Sequence, residues 1–177
     1  MRPRVLVTGI GTILRGDEGF ALEVVQRLAE QRLPAWVQLA DHGIGSGRLD
    51  CDLLGDYDTT VLVDGSPRGG RPGRLRVTDV DLTGAGVADA LTPPNAHGIT
   101  PTAALTLLRL LGGDAARLVI VGCEPRTTTG VGLSPEVEAA VDQAVAFVTE
   151  LVWGGPTGPS PDTIEDETPQ RLQAARE

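Results

Sequence analysis

The chain has 177 residues, of which 41% are hydrophobic, and a formal net charge of -9. This length and hydrophobic content suit one globular domain with its own core. The acidic balance argues against a nucleic-acid partner, because binding to phosphates depends on lysine and arginine. All 15 residues in the Lys and Arg count are arginine. Chemistry that depends on a lysine, such as that of a P-loop or a Schiff base, is therefore excluded.

The histidine and cysteine content narrows the chemistry further. The chain has 2 histidines, His42 and His97, which are too few for a three-histidine zinc site. Cys51 and Cys123 lie far apart in apolar or helical contexts, which indicates reduced thiols rather than a disulfide framework. No apolar run approaches the roughly 20 residues that cross a bilayer, and the first residues lead into a strand pattern rather than a signal peptide. We expect a cytoplasmic protein without a membrane partner.

The first half of the chain combines short apolar runs with one amphipathic helix pattern. Residues 4–9 are typical of a buried parallel strand that ends in glycine. A glycine-punctuated loop follows, and from Gly19 to Pro34 the apolar residues recur at helical spacing. Residues 37–40 are predicted as a second strand, followed by a glycine-rich turn over residues 41–47 and a short helix over residues 49–54.

The second half of the chain continues this alternation. Residues 59–63 and 118–121 are predicted as buried strands, and residues 75–82 alternate like an edge strand. Two helices begin with a capping hydroxyl followed by proline, at Thr100–Pro101 and at Ser134–Pro135. This order predicts a three-layer α/β/α domain around a mostly parallel, twisted sheet of about five strands. We place the domain at residues 1–153 and expect the acidic, Pro/Gly-rich tail, residues 154–177, to be disordered.

Three residues with metal-binding or hydrolytic potential lie beside predicted strand ends or helix starts. Glu18 follows the first strand, Asp64 follows the strand of residues 59–63, and His97 precedes the helix that begins at Thr100. The carboxyl ends of parallel strands meet at one edge of a sheet, where ligands bind. A glutamate, an aspartate and a histidine are a ligand set for divalent ions such as nickel or zinc, with positions left open for a substrate. We predict that Glu18, Asp64 and His97 form one metal site.

Each of these residues also has a structural interpretation. Asp17 and Glu18 can cap a helix start or stabilise its dipole, and if one of them caps, the other is free to face a cleft. Asp64 can close an Asx turn before Gly65. His97 can be an ordinary surface histidine. The arginines that follow Asp64 either recognise an acidic surface or solvate a loop.

The glycines of the first loop do not form a dinucleotide-binding fingerprint. The third glycine of GxGxxG would fall at position 14, which is Leu14. The acids Asp17 and Glu18 would also place negative charge where the helix start should meet a pyrophosphate. Nucleotide binding is therefore disfavoured.

Four separated motifs resemble those of the hydrogenase maturation endopeptidases. They are the loop Gly9–Gly19, the strand end Val63–Asp64, the loop that carries His97, and the segment Val121–Pro125 that leads to Gly130–Val137. The resemblance extends from about Arg4 to Leu151. Two positions depart from the family pattern: Thr12 stands where asparagine is usual, and His42 stands where glycine is usual. Neither departure removes a predicted ligand, and His42 adds an imidazole near the predicted cleft.

The resemblance implies an endopeptidase that removes a short carboxyl-terminal extension from the large-subunit precursor of a nickel-iron hydrogenase once nickel is in place. It implies that Glu18, Asp64 and His97 engage the nickel supplied by the precursor, and that zinc or cadmium substitutes for nickel in vitro. Such families have been called aspartic endopeptidases because of their carboxylates. No Ser/His/Asp or Cys/His arrangement is evident, so we expect hydrolysis by a water that a carboxylate or the metal activates, with Asp17 as a helper.

Two other functions are compatible with the sequence. A non-catalytic, metal-dependent chaperone would bind the immature large subunit without cutting it. A small-molecule-binding α/β domain would bind phosphate or nucleotide, and that binding would be insensitive to Glu18→Gln. Cleavage of the precursor distinguishes the endopeptidase from both alternatives.

Overall fold

The chain folds as a five-stranded α/β sheet with helices packed on it, in a computed structural model that describes residues 4–43, 57–81 and 117–154. For residues 41–43, 80 and 81 the backbone is described without the side chains. In chain order the elements are β1 (Val5–Gly11), a short 3-10 helix (Gly16–Gly19), α1 (Phe20–Ala29), β2 (Val37–Gly43), β3 (Thr59–Asp64), β4 (Leu75–Asp81), β5 (Arg117–Cys123) and α2 (Pro135–Gly154).

The strands of the sheet lie in the order β2-β1-β3-β5-β4. Four of them, β2, β1, β3 and β5, are parallel, and β4 runs antiparallel to β5 at one edge. Parallel neighbours need crossover connections, which cover the faces of a sheet. The reversed direction of β4 brings its first residue, Leu75, opposite Cys123, the last residue of β5.

The main core lies between one face of the sheet and the two helices. Valines of β1, β3 and β5 pack there with apolar residues of α1 and α2. Helix α1 contributes Phe20, Val24 and Leu28, which are fully buried and recur every four residues on one helical face. Helix α2 contributes the stripe from Val137 to Val152.

The opposite face of the sheet is apolar as well, which explains the continuous hydrophobic runs of the central strands. Leu62, Leu118 and Ile120 form a second cluster there, with Ile10 packed against it. Every residue of β3 is buried. None of the helices in the described ranges is both long enough and apolar enough to span a bilayer.

The α/β class and the mostly parallel sheet predicted from the sequence are confirmed. The predicted turn over residues 41–47 is wrong at its start, because β2 continues to Gly43 in register with Gly11. Backbone pairing with β1 extends this strand beyond its apolar residues. The helix over residues 49–54, the helix from Thr100 and the tail beyond Gly154 lie outside the described residues, so these elements and the domain boundary stay predictions.

Candidate active site

The carboxyl ends of β1, β3 and β5 and the amino end of β4 meet at one edge of the sheet, which we call the site edge. Ile10 of β1 lies opposite Asp64 of β3, and Asp64 lies opposite Gly122 of β5. Within the described ranges, three segments leave the strands at this edge, residues 12–19, 65–74 and 124–134. Because ligands of parallel α/β sheets bind beyond the carboxyl ends of the strands, this edge is the candidate active site.

Close backbone packing brings Glu18 next to Asp64. A Cβ atom at Gly65 would lie 2.7 Å from the carbonyl oxygen of Asp17 and 3.3 Å from the Cα atom of Glu18. Only a glycine fits a backbone approach of this kind. Two of the three predicted metal ligands, Glu18 and Asp64, are therefore brought together at the site edge.

Among the described residues, the side chain of Glu18 has one weak partner. It is 14% exposed, and its Oε1 atom lies 3.5 Å from Nε of Arg15, whose side chain is 34% exposed. Water screens a pair of this kind, so it holds the carboxylate loosely. Glu18 therefore keeps acceptor capacity for an incoming cation or proton donor.

Asp64 is held in a fixed orientation. The residue is 3% exposed, and its Oδ1 atom accepts hydrogen bonds from the backbone N–H of Ser66 at 3.1 Å and from the Ser66 hydroxyl at 2.6 Å. These bonds confirm the Asx turn. Its Oδ2 atom lies 3.3 Å from Nη2 of Arg68. The turn orients the carboxylate, and an arginine occupies its second oxygen.

Asp17 has a different environment from its neighbour Glu18. The residue is fully buried, and its Oδ2 atom accepts hydrogen bonds from the backbone N–H groups of Arg126 at 2.8 Å and Thr127 at 2.9 Å. Ser134 donates its backbone N–H to Oδ1 at 2.6 Å and its hydroxyl to Oδ2 at 2.9 Å. These bonds tie the segment after β1 to the loop after β5. The role of Asp17 as a catalytic helper stays a prediction.

The prediction that one of the two acids caps the helix start is wrong, although both do lie in the first turn of the 3-10 helix, where they favour its dipole. Neither the 3-10 helix nor α1 receives a side-chain hydrogen bond at its N-cap. The carboxylate of Asp17 instead bonds to residues more than 100 positions further along the chain. A carboxylate can accept about four hydrogen bonds, so the donors of this loop satisfy Asp17 fully.

The hydrogen bonds to Asp17 also determine its charge state. Burial alone would raise the pKa of Asp17, but the hydrogen bonds from Ser134, Thr127 and Arg126 outweigh burial and leave the pKa below its ordinary value. Asp17 is therefore an ionised carboxylate at neutral pH. A buried ion of this kind depends on its donors, so the loop after β5 and Asp17 stabilise each other.

Backbone contacts join the same two segments. The N–H of Gly16 donates to the carbonyl of Gly130 at 2.8 Å, and the N–H of Asp17 donates to the carbonyl of Thr127 at 3.0 Å. Gly16 has a φ of 56°, which glycine adopts without strain. A Cβ atom there would also lie 2.8 Å from the carbonyl oxygen of Thr129. Glycine is thus required immediately before the two acids.

Cys123 lies near the site edge but is not a nucleophile. It is a free, buried thiol, as expected from the sequence. Burial raises the pKa of Cys123 to about 12, and the charges of Asp17 and Glu124 act in the same direction. Because the thiolate is the reactive form, this thiol is inert at neutral pH. Cys51 lies outside the described residues.

The third predicted ligand, His97, lies outside the described residues. Within the described ranges, no group of three His, Cys, Asp or Glu residues could hold a metal ion. The backbone of His42 lies opposite Ile10 in the ladder between β1 and β2, which places this residue at the site edge. Glu18 and Asp64 supply carboxylate donors that fit a divalent cation. The complete site of Glu18, Asp64 and His97 stays a prediction.

Sequence comparisons identify the family. A family model described as hydrogenase maturation protease matches residues 22–151. The hydrogenase expression/formation protein HupD of Rhodobacter capsulatus is 34% identical over 159 residues, covering 85% of this chain and 73% of the relative. The hydrogenase 2 maturation protease of Escherichia coli strain K12 is 30% identical over 152 residues, covering 82% of this chain and 88% of the relative. The chain belongs to the hydrogenase maturation protease family.

Solved structures agree with this assignment. The hydrogenase maturating endopeptidase HybD from Escherichia coli superposes with a TM-score of 0.69 at 27% identity, covering 82% of this chain and 89% of that structure. A hydrogenase 2 maturation peptidase from a Thaumarchaeota archaeon gives a TM-score of 0.62 at 32% identity, covering 82% of this chain and 95% of that structure. The family resemblance of the sequence motifs is confirmed, and with it the class of enzyme, a hydrogenase maturation protease.

Proposed function

We propose that this protease removes the carboxyl-terminal extension of the nickel-loaded large-subunit precursor of a nickel-iron hydrogenase, in the cytoplasm. Glu18, Asp64 and His97 engage the nickel that the precursor holds. Family membership supports the protease activity. The single observation that carries the nickel assignment is the close backbone approach at the site edge of the two segments that bear Glu18 and Asp64, where Gly65 packs against Glu18.

Both carboxylates are paired with arginines that a divalent ion can replace. Glu18 lies 3.5 Å from Arg15, and Asp64 lies 3.3 Å from Arg68. A guanidinium spreads one positive charge over several atoms, whereas nickel concentrates two charges on one atom and attracts a carboxylate more strongly. His97 adds an imidazole, which is a suitable nickel ligand. Because nickel arrives with the precursor, recognition depends on the maturity of the substrate.

Hydrolysis needs a group that activates water. The protonated thiol of Cys123 is unsuited to this role. In the proposed reaction the carboxylate of Glu18 or Asp64 accepts a proton from a water that attacks the scissile carbonyl. Nickel in the precursor serves as a recognition handle and polarises that carbonyl. This combination is an aspartic-type mechanism that depends on a metal in the substrate, and Asp17 helps by holding the segment that carries Glu18.

The metal requirement follows from the same ligand set. Zinc or cadmium would substitute for nickel in vitro, since two carboxylates and an imidazole bind divalent ions of this type. A ligating imidazole must be neutral, so metal engagement weakens as the pH falls and His97 becomes protonated.

The test is cleavage of nickel-loaded precursor by the purified protein, followed by the intact mass of the large subunit. The wild-type protein should shorten the large subunit. Asp64→Asn removes the charge but keeps an oxygen for the Ser66 turn, and His97→Ala removes the imidazole. Both should abolish cleavage while the protein stays folded, although Asp64→Asn also loses the contact with Arg68 and with it some stability. Glu30→Gln neutralises an exposed acid beyond α1 and serves as the control, with wild-type cleavage expected.

Two outcomes would contradict the proposal in different ways. Tight binding of the precursor with an unchanged mass would support the non-catalytic chaperone. Wild-type cleavage rates in both Asp64→Asn and His97→Ala would keep the protease activity but remove the site assignment.

A further inference from the structure

The segment that follows Asp64 is basic in an otherwise acidic protein. Residues 65–78 contain Arg68, Arg71, Arg74 and Arg76 and no Asp or Glu, although the chain as a whole has 24 acidic residues and a net charge of -9. Like charges this close together repel one another. We therefore expect these four positive charges to be balanced by acids elsewhere in the fold or by an external partner.

Three of these arginines line one shallow groove. Its walls are Arg68 and Arg74 from the segment between β3 and β4, Arg76 from β4, and Glu124 after β5. Gly122 lies opposite Arg76 in the ladder between β4 and β5, and a Cβ atom there would lie 3.9 Å from Nε of Arg68. We call this feature, defined by Arg68, Arg74, Arg76, Gly122 and Glu124, the arginine groove.

The acid in the groove is already engaged. The carboxylate of Glu124 accepts hydrogen bonds from the backbone N–H of Arg68 at 3.0 Å and from that of Gly69 at 3.1 Å. Arg74 and Arg76 are exposed and form no side-chain hydrogen bond or ion pair within the described ranges. With three arginines and one glutamate, the groove residues carry a net charge of +2, and the excess is +1 when Asp64, which pairs with Arg68, is included.

Three other arginines of the described ranges are paired with acids. Arg27 contacts Glu23, Glu138 and Asp142, Arg117 contacts Asp79, and Arg126 contacts Glu136. These arginines bind acids of the same chain. Arg32 and Arg71 also form no ion pair with the described residues, so what distinguishes Arg74 and Arg76 is that both line the groove beside Asp64.

The groove adjoins the candidate active site. Arg68 contacts the carboxylate of Asp64 at 3.3 Å, and the antiparallel direction of β4 places Arg74 and Arg76 at the site edge. A chain that lies across Asp64 can extend directly into the groove. Guanidinium groups bind carboxylates through paired N–H donors.

We propose that the arginine groove binds an acidic segment of the precursor protein while the scissile bond lies at Glu18 and Asp64. The proposal rests on the proposed function. The complementary charge identifies the chemistry of the segment, a run of Asp or Glu side chains or a terminal carboxylate. Binding there orients the substrate and adds affinity beyond that of the nickel contact.

The test compares charge reversal inside and outside the groove. The double variant Arg74→Glu/Arg76→Glu should raise KM for the nickel-loaded precursor roughly tenfold, since two attractions are lost and two repulsions added, with kcat within about twofold of wild type. The control Arg32→Glu reverses an exposed arginine that follows α1, at the opposite edge of the sheet, and should leave both parameters unchanged. The double variant Arg74→Gln/Arg76→Gln introduces no negative charge and should give a smaller increase in KM. It replaces the charge-reversal variant if that variant does not fold.

Two further readouts separate binding in the groove from a general structural effect. A hexaglutamate peptide should inhibit cleavage competitively in the wild type but not in the charge-reversal variant, and a hexalysine peptide should inhibit neither. Added salt should raise KM for the wild type and have little effect on the variant, because screening acts on the charges that were removed.

The outcomes distinguish this inference from the proposed function. If the wild type fails to shorten the precursor, the proposed function fails. If the wild type cleaves and the charge-reversal variant keeps the wild-type KM and salt dependence, only the groove proposal is overturned. Binding of a DNA or RNA oligonucleotide to the groove, with KM unchanged in the variant, would overturn it equally.

Discussion

Asp17 and Glu18 are neighbours in sequence, but their carboxylates differ in burial and in the number of hydrogen bonds that they accept. Asp17 is fully buried, and its oxygens accept hydrogen bonds from three residues of the loop after β5. Glu18 is partly exposed, and its one partner in the part of the chain that the structure describes is a screened arginine. The structure thus separates a residue that holds the site edge from one that is available to a substrate.

Replacing Asp17 by asparagine should destabilise the fold. The asparagine amide has only one acceptor oxygen. Its NH2 group would face N–H groups that donate hydrogen bonds to the carboxylate in the wild type. Asp17→Asn should lower the free energy of unfolding by about 2 to 3 kcal/mol, the magnitude expected for hydrogen bonds to a buried charge. Urea denaturation measures this change, with Glu30→Gln as an exposed control. An Asp17→Asn protein with wild-type stability and no cleavage would favour a direct catalytic role instead.

The stabilisation from Asp17 should depend on pH in a defined direction. Its pKa in the folded protein lies below the ordinary value of 3.8. The contribution is therefore complete above the unfolded pKa and is lost as the pH falls through the folded pKa. The difference in unfolding free energy between wild type and Asp17→Asn should be constant from pH 7 to about 5 and shrink below about 4. A difference that grows in acid would contradict this assignment.

Arg68 should compete with a cation for Asp64. Its guanidinium lies 3.3 Å from Oδ2 of this carboxylate, so an incoming metal must displace it. Arg68→Gln should increase the affinity of the free protein for Ni²⁺ several-fold in isothermal titration calorimetry. Arg126→Gln, which removes an arginine paired with Glu136, is the control and should leave the affinity unchanged. Equal or weaker Ni²⁺ binding by Arg68→Gln would contradict the competition.

The sequence predicted the convergence of acids at the site edge but not the role of Asp17. Glu18 and Asp64 could be placed together because each follows a strand of a parallel sheet, and such strand ends share an edge. The partners of Asp17 lie 109 to 117 positions away, and no local pattern reveals contacts of that separation. The one available signal was the pair of adjacent acids after Gly16, of which a helix cap would need only one.

Helices α1 and α2 are joined by an ionic network as well as by the core. Arg27 of α1 donates hydrogen bonds to Glu23 of the same helix at 2.8 Å and to Asp142 of α2 at 2.6 Å, and it also contacts Glu138 of α2. The side chain of Arg27 is 29% exposed, so water weakens these pairs. The apolar stripes of the two helices remain the main source of their packing energy.

Removal of this network should have a small and salt-dependent effect. Arg27→Gln should lower the free energy of unfolding by about 1 kcal/mol or less, since each exposed pair contributes only a few tenths. The difference from wild type, measured by urea denaturation, should shrink as salt is added. An effect above about 3 kcal/mol, or one insensitive to salt, would show that Arg27 acts through packing instead.

The sequence predicted which strands and helices form better than it predicted the residues at which they end. Apolar runs identified the cores of β1, β2, β3 and β5, and alternation identified β4 as an edge strand, as observed. The predicted strands β1 and β3 ended too early, because backbone pairing continues through Gly11 in β1 and through Asp64 in β3. The strand order and the reversal of β4 depend on long-range pairing and were not predictable from local patterns.

At the scale of the whole molecule, charge is distributed unevenly around one edge of the sheet. A protein with a net charge of -9 presents there two carboxylates suited to a cation and a groove of arginines suited to acids. This pairing of opposite charges fits a substrate that carries both a metal ion and a polypeptide extension. The fold contributes by bringing the segments after β1, β3 and β5 together at one place.

The central claim is that this protein trims a hydrogenase large subunit. Its most direct test is the intact mass of the cognate large subunit isolated from cells with and without this protein. We predict that the large subunit from cells lacking the protein retains its carboxyl-terminal extension, and that wild-type protein, but not Asp64→Asn, restores the shorter mass. A large subunit of mature mass in cells that lack the protein and any related protease would contradict the account.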